Sequence, residues 1–406
     1  MTLEFHKLTG QVERMGEVLA TQEEEIQSKT DIALQILDAH ADEAFLPYIH
    51  DRVQDAVDKD AGYRGARPVD EALANVYPPA PLPGSATIIA TDGSQILPKT
   101  HGAALYYLIN TGTIIVRHGS GEPPDILSDP FLFYEKEYMY TEDRGMISSQ
   151  TVSARRTVAE MAALAEQSVL HAGEARPLLS LVDGPLLLLG LGQEVPDRDE
   201  LRGIYFSAMT RLLETQAGLV GYTDRPRSRY VMGLLHLLDL QVEQVSRTSL
   251  ANDGRLEGVQ DRQIFQHLLE PGCRSALFVQ MSPQNKEFRR IGGETHEIAF
   301  FYMNVATNGQ SPIISRIEVP MWVAEDRRMV SELQALIYHQ CQQIASNYPY
   351  VLTRSHELAV VKHEEAKQLD LMIQVTMTRH GLDSVESDKQ LGKEAVGGRR
   401  TRFEVK

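Results

Sequence analysis

The sequence predicts an α/β fold with a mixed sheet at its core. Three observations support this prediction. β-Rich runs follow one another closely from residue 86, apolar strands and amphipathic helices alternate over 148–224, and long helical stretches stand at both ends of the chain. Strands joined by short links pair antiparallel, whereas strands separated by a helix pair parallel. We therefore expect one sheet with both kinds of pairing, and added N-terminal and C-terminal long helices.

Composition indicates an ordinary globular protein. The chain has 406 residues, of which 42% are apolar and 24% are charged. Its two cysteines, Cys273 and Cys341, are too few for a disulfide framework and indicate a reducing compartment. No basic stretch precedes an apolar one at the N-terminus, and the apolar run at 185–192 is too short to span a bilayer. We expect a cytoplasmic protein.

The formal net charge of −16 argues, taken alone, against a nucleic-acid partner. A metal-dependent nuclease, however, needs only local carboxylates and local basic patches. Such patches occur at 224–230, 286–293 and 397–403. Most basic clusters are solvated surface, so charge does not decide between the two interpretations.

The N-terminal stretch predicts one or two amphipathic helices before residue 60, because apolar residues recur at helical spacing in IALQILDAHADEAFLPYI. The stretch PPAPLPGS at 78–85 is a linker, since its prolines cannot enter a helix or a sheet interior. We expect an N-terminal helical segment over 1–80, a main domain over 81–382 and a polar tail over 383–406.

The sheet is expected to begin with a buried strand at 86–91. Two more strands follow at 103–110 and 113–119, with a hairpin turn predicted at 111–112 from its Thr-Gly dipeptide. The stretch 120–147 is rich in proline and aromatic residues, and we expect an excursion loop there.

Alternating helices and strands follow. A helix is predicted over 148–173 from its N-terminal serine, alanine-rich middle and terminal glycine. A strand at 177–184, a helix at 199–218 and a strand at 219–224 come next. The order from residue 86 is strand, strand, strand, helix, strand, helix, strand, which is the order of the ribonuclease H-like fold.

The C-terminal half predicts two strands, in HEIAFFYMNVA and PIISRIEVPMW, followed by a long helix over 326–347. Pro349 ends this helix. A last long helix is expected from about Thr353 to His380.

Several kinds of active site are excluded by motif. The chain has neither a P-loop nor a Gly-x-Gly-x-x-Gly motif. Without a Gly-x-Ser-x-Gly motif, Ser94 is a poor candidate nucleophile. The histidines of SHELAVVKHEE are too far apart for a zincin site.

Two carboxylates carry more information. Asp92 and Asp183 each end an apolar run and each precede a glycine. Ligands gather at the carboxyl ends of strands in open α/β sheets. If these strands are parallel neighbours, the two like charges need a cation between them, and oxygen ligands favour Mg²⁺ or Mn²⁺. Two plain turns would also explain the pattern, so both interpretations stay open at this point.

A third ligand is expected from the helix between those strands. Glu160 and Glu166 are the candidates, and we prefer Glu160 because it lies in the earlier part of the helix, nearer the site end. Arg156 stands four residues before Glu160, so a surface ion pair is the alternative.

Six stretches, in order and over most of the chain, resemble the NurA nucleases. These stretches are TDGSQ (91–95), ARRTVAE (154–160), LVDGPLL (181–187), GYTDRPRSRY (221–230), RIEVP (316–320) and YPYVLTRSH (348–356).

The resemblance implies a ribonuclease H-like DNA-end-processing nuclease that depends on Mn²⁺ or Mg²⁺ and works with a HerA-type hexameric ATPase. It also implies 5′-to-3′ exonuclease activity, single-strand endonuclease activity and a homodimer. The alternative is a non-catalytic ribonuclease H-like scaffold or binding subunit, because fold does not fix function. A phosphatase or a ribonuclease is a third possibility.

The resemblance also implies roles for individual residues. The implied metal ligands are Asp92, Glu160, Asp183 and His356, and Tyr348 joins them as a catalytic residue. A histidine at such a position can ligate an ion or hold phosphate or water. A buried core histidine is the alternative for His356.

Three arginines, Arg225, Arg227 and Arg229, are expected to contact DNA phosphate. The family often has a lysine where this chain has Thr223-Asp224, and Arg225 could substitute for it. Arg316 and Glu318 in RIEVP are expected to form an internal ion pair. The long helices at 1–60 and 326–380 are expected to contact the second protomer or the ATPase.

Overall fold

A mixed sheet organises the protein, and helices cover both of its faces. The computed structural model describes residues 4–99, 104–141 and 145–382, and the polar tail expected at 383–406 lies outside them. The strands are β1 (Ala66–Pro68), β2 (Val76–Tyr77), β3 (Ala86–Ile96), β4 (Tyr107–His118), β5 (Asp125–Phe133), β6 (Leu178–Asp183), β7 (Gly218–Asp224), β8 (Arg274–Ser275), β9 (Phe278–Gln280), β10 (Ile298–Asn304) and β11 (Ile314–Pro320).

The helices connect and cover these strands. They are α1 (Thr9–Ala39), α2 (Leu46–Lys59), α3 (Lys136–Met139), α4 (Ser149–Leu170), α5 (Arg198–Glu214), α6 (Tyr230–Asp239), α7 (Arg247–Leu250), α8 (Asp261–Leu268), α9 (Pro283–Gly292), α10 (Met321–Ala324), α11 (Arg327–Cys341), α12 (Tyr350–Ala359) and α13 (His363–Arg379). Across the described part of the chain, no helix is both long and apolar enough to span a bilayer.

The strand order confirms the predicted fold class. Across the sheet it is β1-β9-β10-β11-β7-β6-β3-β4-β5, with β8 paired to β10 and β2. Strand β4 is antiparallel to both β3 and β5, whereas β6 is parallel to β3 and β7 is parallel to β6. The segment β5-β4-β3-β6-β7 with these directions is a ribonuclease H-like core. Strand β11 extends the core by pairing antiparallel to β7.

The hairpin predicted at 111–112 is wrong. Strand β4 runs straight through these residues, and Gly112 lies opposite Asp92 on one side and Ser128 on the other. The excursion loop predicted at 120–147 is also wrong in part, because it contains β5, the third strand of the core. Strand β5 lies at the edge of the sheet, where Pro130 is tolerated because the outer side of the strand needs no partner.

The first core strand is longer than expected, so Asp92 does not end it. Strand β3 continues to Ile96. Its parallel pairing with β6, however, stops at the pair Thr91–Val182. Asp92 therefore lies where the sheet loses one neighbour and β3 goes on as the partner of β4 alone.

The last predicted helix is two helices, α12 and α13. The carbonyl oxygen of Ala359 accepts hydrogen bonds from Ser94 Oγ at 2.5 Å and from Asn110 Nδ2 at 2.8 Å. The backbone N–H of Val361 then donates to Ser94 Oγ at 3.3 Å. Polar side chains of β3 and β4 thus take the place of the next helical turn and break the helix.

Three large apolar clusters hold helices on the sheet, and a smaller one packs α3 and the start of α4 on β4. One face of the core carries α4 and α5, whose Leu164 and Met209 pack against Leu219 of β7. The same face of β9 and β10 carries α1, α2, α6 and α8. The opposite face carries α11 and α12, with Leu336 and Leu352 fully buried. Helix α11 is therefore part of the core rather than an exposed contact helix.

Glycine at position 112 lets α12 lie directly on β4. A Cβ atom there would stand 2.4 Å from the Ala359 nitrogen and 2.6 Å from the Ser355 carbonyl oxygen. Both contacts are with backbone, which cannot move without shifting the helix. The close seating of α12 therefore requires glycine.

We predict that Gly112→Ala lowers the free energy of unfolding by about 2 kcal/mol, the usual cost of overpacking. Gly203→Ala is the matched control, because a Cβ there meets nothing within 4 Å. In mid-helix this control should raise stability by up to about 1 kcal/mol. Urea unfolding followed by circular dichroism measures both, and equal midpoints for Gly112→Ala and wild type would contradict the prediction.

Candidate active site

The two strand aspartates lie side by side. Since Thr91 of β3 pairs with Val182 of β6, Asp92 and Asp183 follow in register on neighbouring parallel strands. Such strands are about 4.8 Å apart, and residues in register point to the same face. That face carries α12. Burial raises the pKa of Asp183, whose tip stays accessible, and the nearby Asp92 carboxylate adds to the rise.

Glu160 approaches the same point from the opposite face of the sheet. It lies on α4 with its side chain 13% exposed. A Cβ atom on Gly93 would stand 2.5 Å from Glu160 Oε1 and 2.8 Å from Arg156 Cγ. The missing side chain at position 93 is therefore what lets this carboxylate come near the aspartates. Glu166, the other candidate on α4, is exposed.

The environment of Glu160 disfavours its charge. Burial raises the pKa of Glu160 to about 8, and the carboxylates of Asp92 and Asp183 add to the rise. Arg156 and the backbone N–H of Gly93 oppose it. Three carboxylates are thus close enough to repel one another at the edge where β3 and β6 part.

Arg156 is the cation that faces Glu160. Its Nε lies 3.1 Å from Glu160 Oε1. The N–H is not aligned for a hydrogen bond, so the contact is ionic only. The ion pair that the spacing of these residues suggested does form, and it lies beside the aspartates rather than on open surface.

His356 joins the site from α12. Its Nδ1 lies 2.7 Å from Asp92 Oδ2, and the other oxygen of Asp92 accepts from the Gly93 N–H at 2.8 Å. Because Nδ1 donates to a carboxylate, Nε2 is the ring nitrogen left for water, phosphate or a metal ion. The side chain is 65% exposed, so His356 is not a buried core histidine.

Tyr348 supports the second aspartate. Its ring packs edge-on against Tyr222, with centroids 5.1 Å apart. Burial raises the pKa of Tyr348, and the nearby Asp183 adds to the rise. The hydroxyl therefore stays protonated and donates toward Asp183, which counteracts part of the rise in the pKa of that carboxyl.

A fourth carboxylate, Asp224, escaped sequence reasoning. It ends β7, next to β6, and burial raises its pKa while Arg225 opposes the rise. Its charge also acts on Asp183. The signal was present, because LVGYTD is another apolar run that ends in aspartate.

The turn after Asp183 is anchored by a buried glutamate of β11. The backbone N–H of Leu186 donates to Glu318 Oε2 at 2.8 Å. Arg316 lies 2.6 Å from the other oxygen of Glu318, and both side chains are buried. Arg316 and Glu318 thus form the expected internal ion pair, which also fixes the turn that carries Asp183.

The three predicted DNA-contacting arginines differ in their surroundings. Arg229 pairs with Asp253 and donates to the Val259 carbonyl at 3.1 Å, so its guanidinium is engaged within the protein. Arg225 and Arg227 are exposed. Arg225 also adopts a left-handed backbone with φ 41°, a strained conformation of the kind that clusters at functional sites.

The donor set suits a hard divalent cation, although the side chains form no ready-made cage. Among the described residues, no three His, Cys, Asp or Glu side chains are grouped to hold a metal ion. Glu160 faces Arg156, and His356 faces Asp92. Oxygen donors of like charge nevertheless gather at one strand edge, where a cation would relieve their repulsion.

One family model matches more than half of the chain. The NurA domain family model matches residues 86–361. The NurA nuclease from Sulfolobus solfataricus is 13% identical, with TM-score 0.48, over 82% of this chain and 92% of that chain. A structure of NurA bound to dAMP and manganese is 13% identical, with TM-score 0.35, over 71% and 88% of the two chains.

A third structure, the catalytic domain of human Endonuclease V, is 12% identical with TM-score 0.34, over 80% of this chain and 98% of that chain. The comparison with curated proteins gives no match.

The raised pKa of Glu160 predicts a pH dependence of stability in metal-free protein. The folded state holds this proton up to about pH 8, whereas the unfolded state releases it near 4.5. The protonated Glu160 carboxyl therefore makes its full contribution to the free energy of unfolding below pH 4.5. This contribution is lost as the pH rises to 8, by about 1.4 kcal/mol per pH unit at most.

Glu160→Gln removes that titration, so we expect its unfolding free energy to fall less than that of wild type between pH 5 and 8. Urea midpoints measured in EDTA provide the test. Glu166→Gln, on the exposed side of the same helix, should follow wild type. Parallel pH profiles for Glu160→Gln and wild type would show that Glu160 is not buried as described.

Proposed function

The chain belongs to the NurA family, whose model spans residues 86–361, and from this premise we propose that it is a metal-dependent DNA nuclease. One observation carries the proposal. Carboxylates from both faces of the sheet, Asp92, Glu160 and Asp183, meet where parallel strands part, and burial together with the neighbouring carboxylates raises the pKa of Glu160 and that of Asp183. Phosphodiester hydrolysis is the chemistry that such a site serves best. We place the nuclease domain at 81–382, which contains the matched residues.

In this proposal Asp92, Glu160 and Asp183 hold a divalent ion, Mn²⁺ or Mg²⁺. When bound, the ion supplies positive charge for the phosphate oxygens and lowers the pKa of a water molecule. His356 is oriented by Asp92, and its Nε2 holds a water molecule or a phosphate oxygen. Where it holds water, the same nitrogen accepts the proton of that water. Tyr348 keeps Asp183 in place by hydrogen bonding. Arg225 and Arg227 contact phosphate along the strand.

We extend the proposal to the activities of the family: 5′-to-3′ exonuclease, single-strand endonuclease and a role in DNA end resection with a HerA-type ATPase. Exposed apolar side chains on two helices support contacts with partners. On α1, Val12, Met15 and Leu19 are each more than half exposed. On α13, Leu371 and Met372 are equally exposed. We assign these faces to the second protomer and the ATPase.

We also place the protein in the cytoplasm, where its DNA substrate and the ATPase would be found. Both cysteines, Cys273 and Cys341, are buried free thiols, as a reducing compartment favours.

A non-catalytic binding subunit is the second candidate. The observation that favours it is the Arg156–Glu160 ion pair, because a resident cation can neutralise the carboxylate without a metal ion. In that case the family fold would serve as a scaffold for the motor.

Cleavage of end-labelled DNA tests the two candidates. Incubation with 5′-labelled and 3′-labelled DNA in Mn²⁺, Mg²⁺ or EDTA should give metal-dependent products, and the label that is released first gives the polarity. We expect Asp92→Ala and Glu160→Ala to lower the rate of DNA cleavage more than ~100-fold, because loss of a residue that only orients a metal ligand already costs up to that factor. Glu166→Ala is the matched control and should cleave like wild type.

Equal cleavage by wild type and Asp92→Ala would refute the metal-site assignment. If no protein cleaves, even with a HerA-type ATPase added, the scaffold function is supported instead. Circular dichroism of each variant separates loss of chemistry from loss of folding.

A further inference from the structure

A groove lies beside the candidate active site at the same edge of the sheet. Its lining includes Arg225, Arg262, Gln266, Gln310, Pro312 and Ile314. Arg225 comes directly after Asp224, the last residue of β7, and the charge of Asp224 acts on Asp183. The groove therefore begins at the strand end next to Asp183.

The groove carries two arginines, of which only Arg225 has a carboxylate partner among the described residues. Within residues 4–99, 104–141 and 145–382, Arg262 has no carboxylate within 4 Å, and the nearest one to Arg225 is Asp224 at 3.9 Å. The two arginines give this groove local positive charge in a chain whose net charge is −16. Guanidinium groups of this kind suit phosphate oxygens.

The far wall of the groove is tied to the active site by hydrogen bonds. Asn347 precedes Tyr348, and its Nδ2 donates to Gln310 Oε1 at 2.9 Å. Its own Oδ1 accepts from Thr307 Oγ1 at 2.9 Å. The amide oxygen of Gln310 is thus engaged, which leaves its NH₂ group as the donor for a ligand. These hydrogen bonds therefore fix the position of the wall relative to Tyr348, the residue that supports Asp183.

The remaining surface is apolar or neutral. Pro312 and Ile314 provide apolar contact, and Gln266 and Gln310 provide neutral amides. Arginine for phosphate oxygens and neutral amides for the sugar are groups that commonly contact a nucleic-acid backbone.

We propose that this groove binds the DNA strand next to the scissile phosphate, with Arg225 and Arg262 on backbone phosphates and Gln310 on the adjoining sugar or base. Arg262, which lies 37 residues beyond Arg225 on α8, is a binding residue that the sequence motifs did not reveal. The inference rests on the proposed nuclease function, since it assigns the path of that enzyme's substrate.

The test is binding of a labelled 20-nucleotide oligo(dT) with Ca²⁺ in place of Mn²⁺, from 50 to 200 mM salt. Arg262→Gln should weaken binding about tenfold, as expected for a lost charge-assisted hydrogen bond. The slope of log affinity against log salt should fall by about 0.7. The double variant with Arg225→Gln should lose about twice that slope.

Arg328→Gln is the matched control, because it removes the same charge at the start of α11, beyond the opposite end of β11, where the side chain is 86% exposed. It should bind like wild type. If Arg262→Gln binds like wild type with an unchanged salt slope, or if wild type does not bind the oligonucleotide, the groove assignment is overturned.

Hydrolysis of bis(p-nitrophenyl) phosphate by wild type with Mn²⁺ tests the proposed function separately, because this diester is too short to reach the groove. Ester hydrolysis without Arg262-dependent binding refutes the groove and leaves the nuclease. Arg262-dependent binding without ester or DNA hydrolysis refutes the nuclease and leaves a nucleic-acid groove.

Discussion

The arrangement of the site depends on the absence of a side chain at position 93. A β-sheet separates the residues of its two faces, so a carboxylate on α4 would ordinarily be kept from aspartates that point toward α12. Gly93 removes that barrier, and Glu160 reaches the edge of Asp92 through the gap. Gly112 does the equivalent on the opposite face, where it seats α12 and with it His356. Gly93 of β3 and Gly112 of β4 each lie opposite the residue next to the other glycine. Together they let α4 and α12 approach one point from the two faces of the sheet.

Gathering like charges in this way has an electrostatic cost, and the protein meets it with its own polar groups. Arg156 faces Glu160, His356 and the Gly93 N–H bind Asp92, and the Tyr348 hydroxyl supports Asp183. Each carboxylate therefore has a partner within the protein. None of these contacts is a buried, bidentate ion pair, so each could give way to the cation that the proposed function requires.

Much of the architecture was predictable because its signals are local. The helix that became α4 was visible from its cap and periodicity, and Asp92 and Asp183 were visible as polar ends of apolar runs. Strand β5 was missed because Pro130 and its exposed residues hide an edge strand, and Gly112 looked like a turn residue because the helix it accommodates is distant in sequence. The pairing of Arg229 with Asp253 is likewise a long-range contact that no short motif records. Asp224 could have been predicted, because it too ends an apolar run.

The seating of α12 on β3 and β4 also fixes when the site can exist during protein synthesis. His356 follows Asp183 by 173 residues, and the oxygen that anchors its helix bonds to Ser94 and Asn110, which emerge much earlier. At typical elongation rates of 5–20 residues per second, about 9 to 35 s separate the synthesis of Asp183 from that of His356. A nascent chain therefore carries all three acidic groups before it carries their histidine. The constellation becomes complete only after α12 has been synthesised.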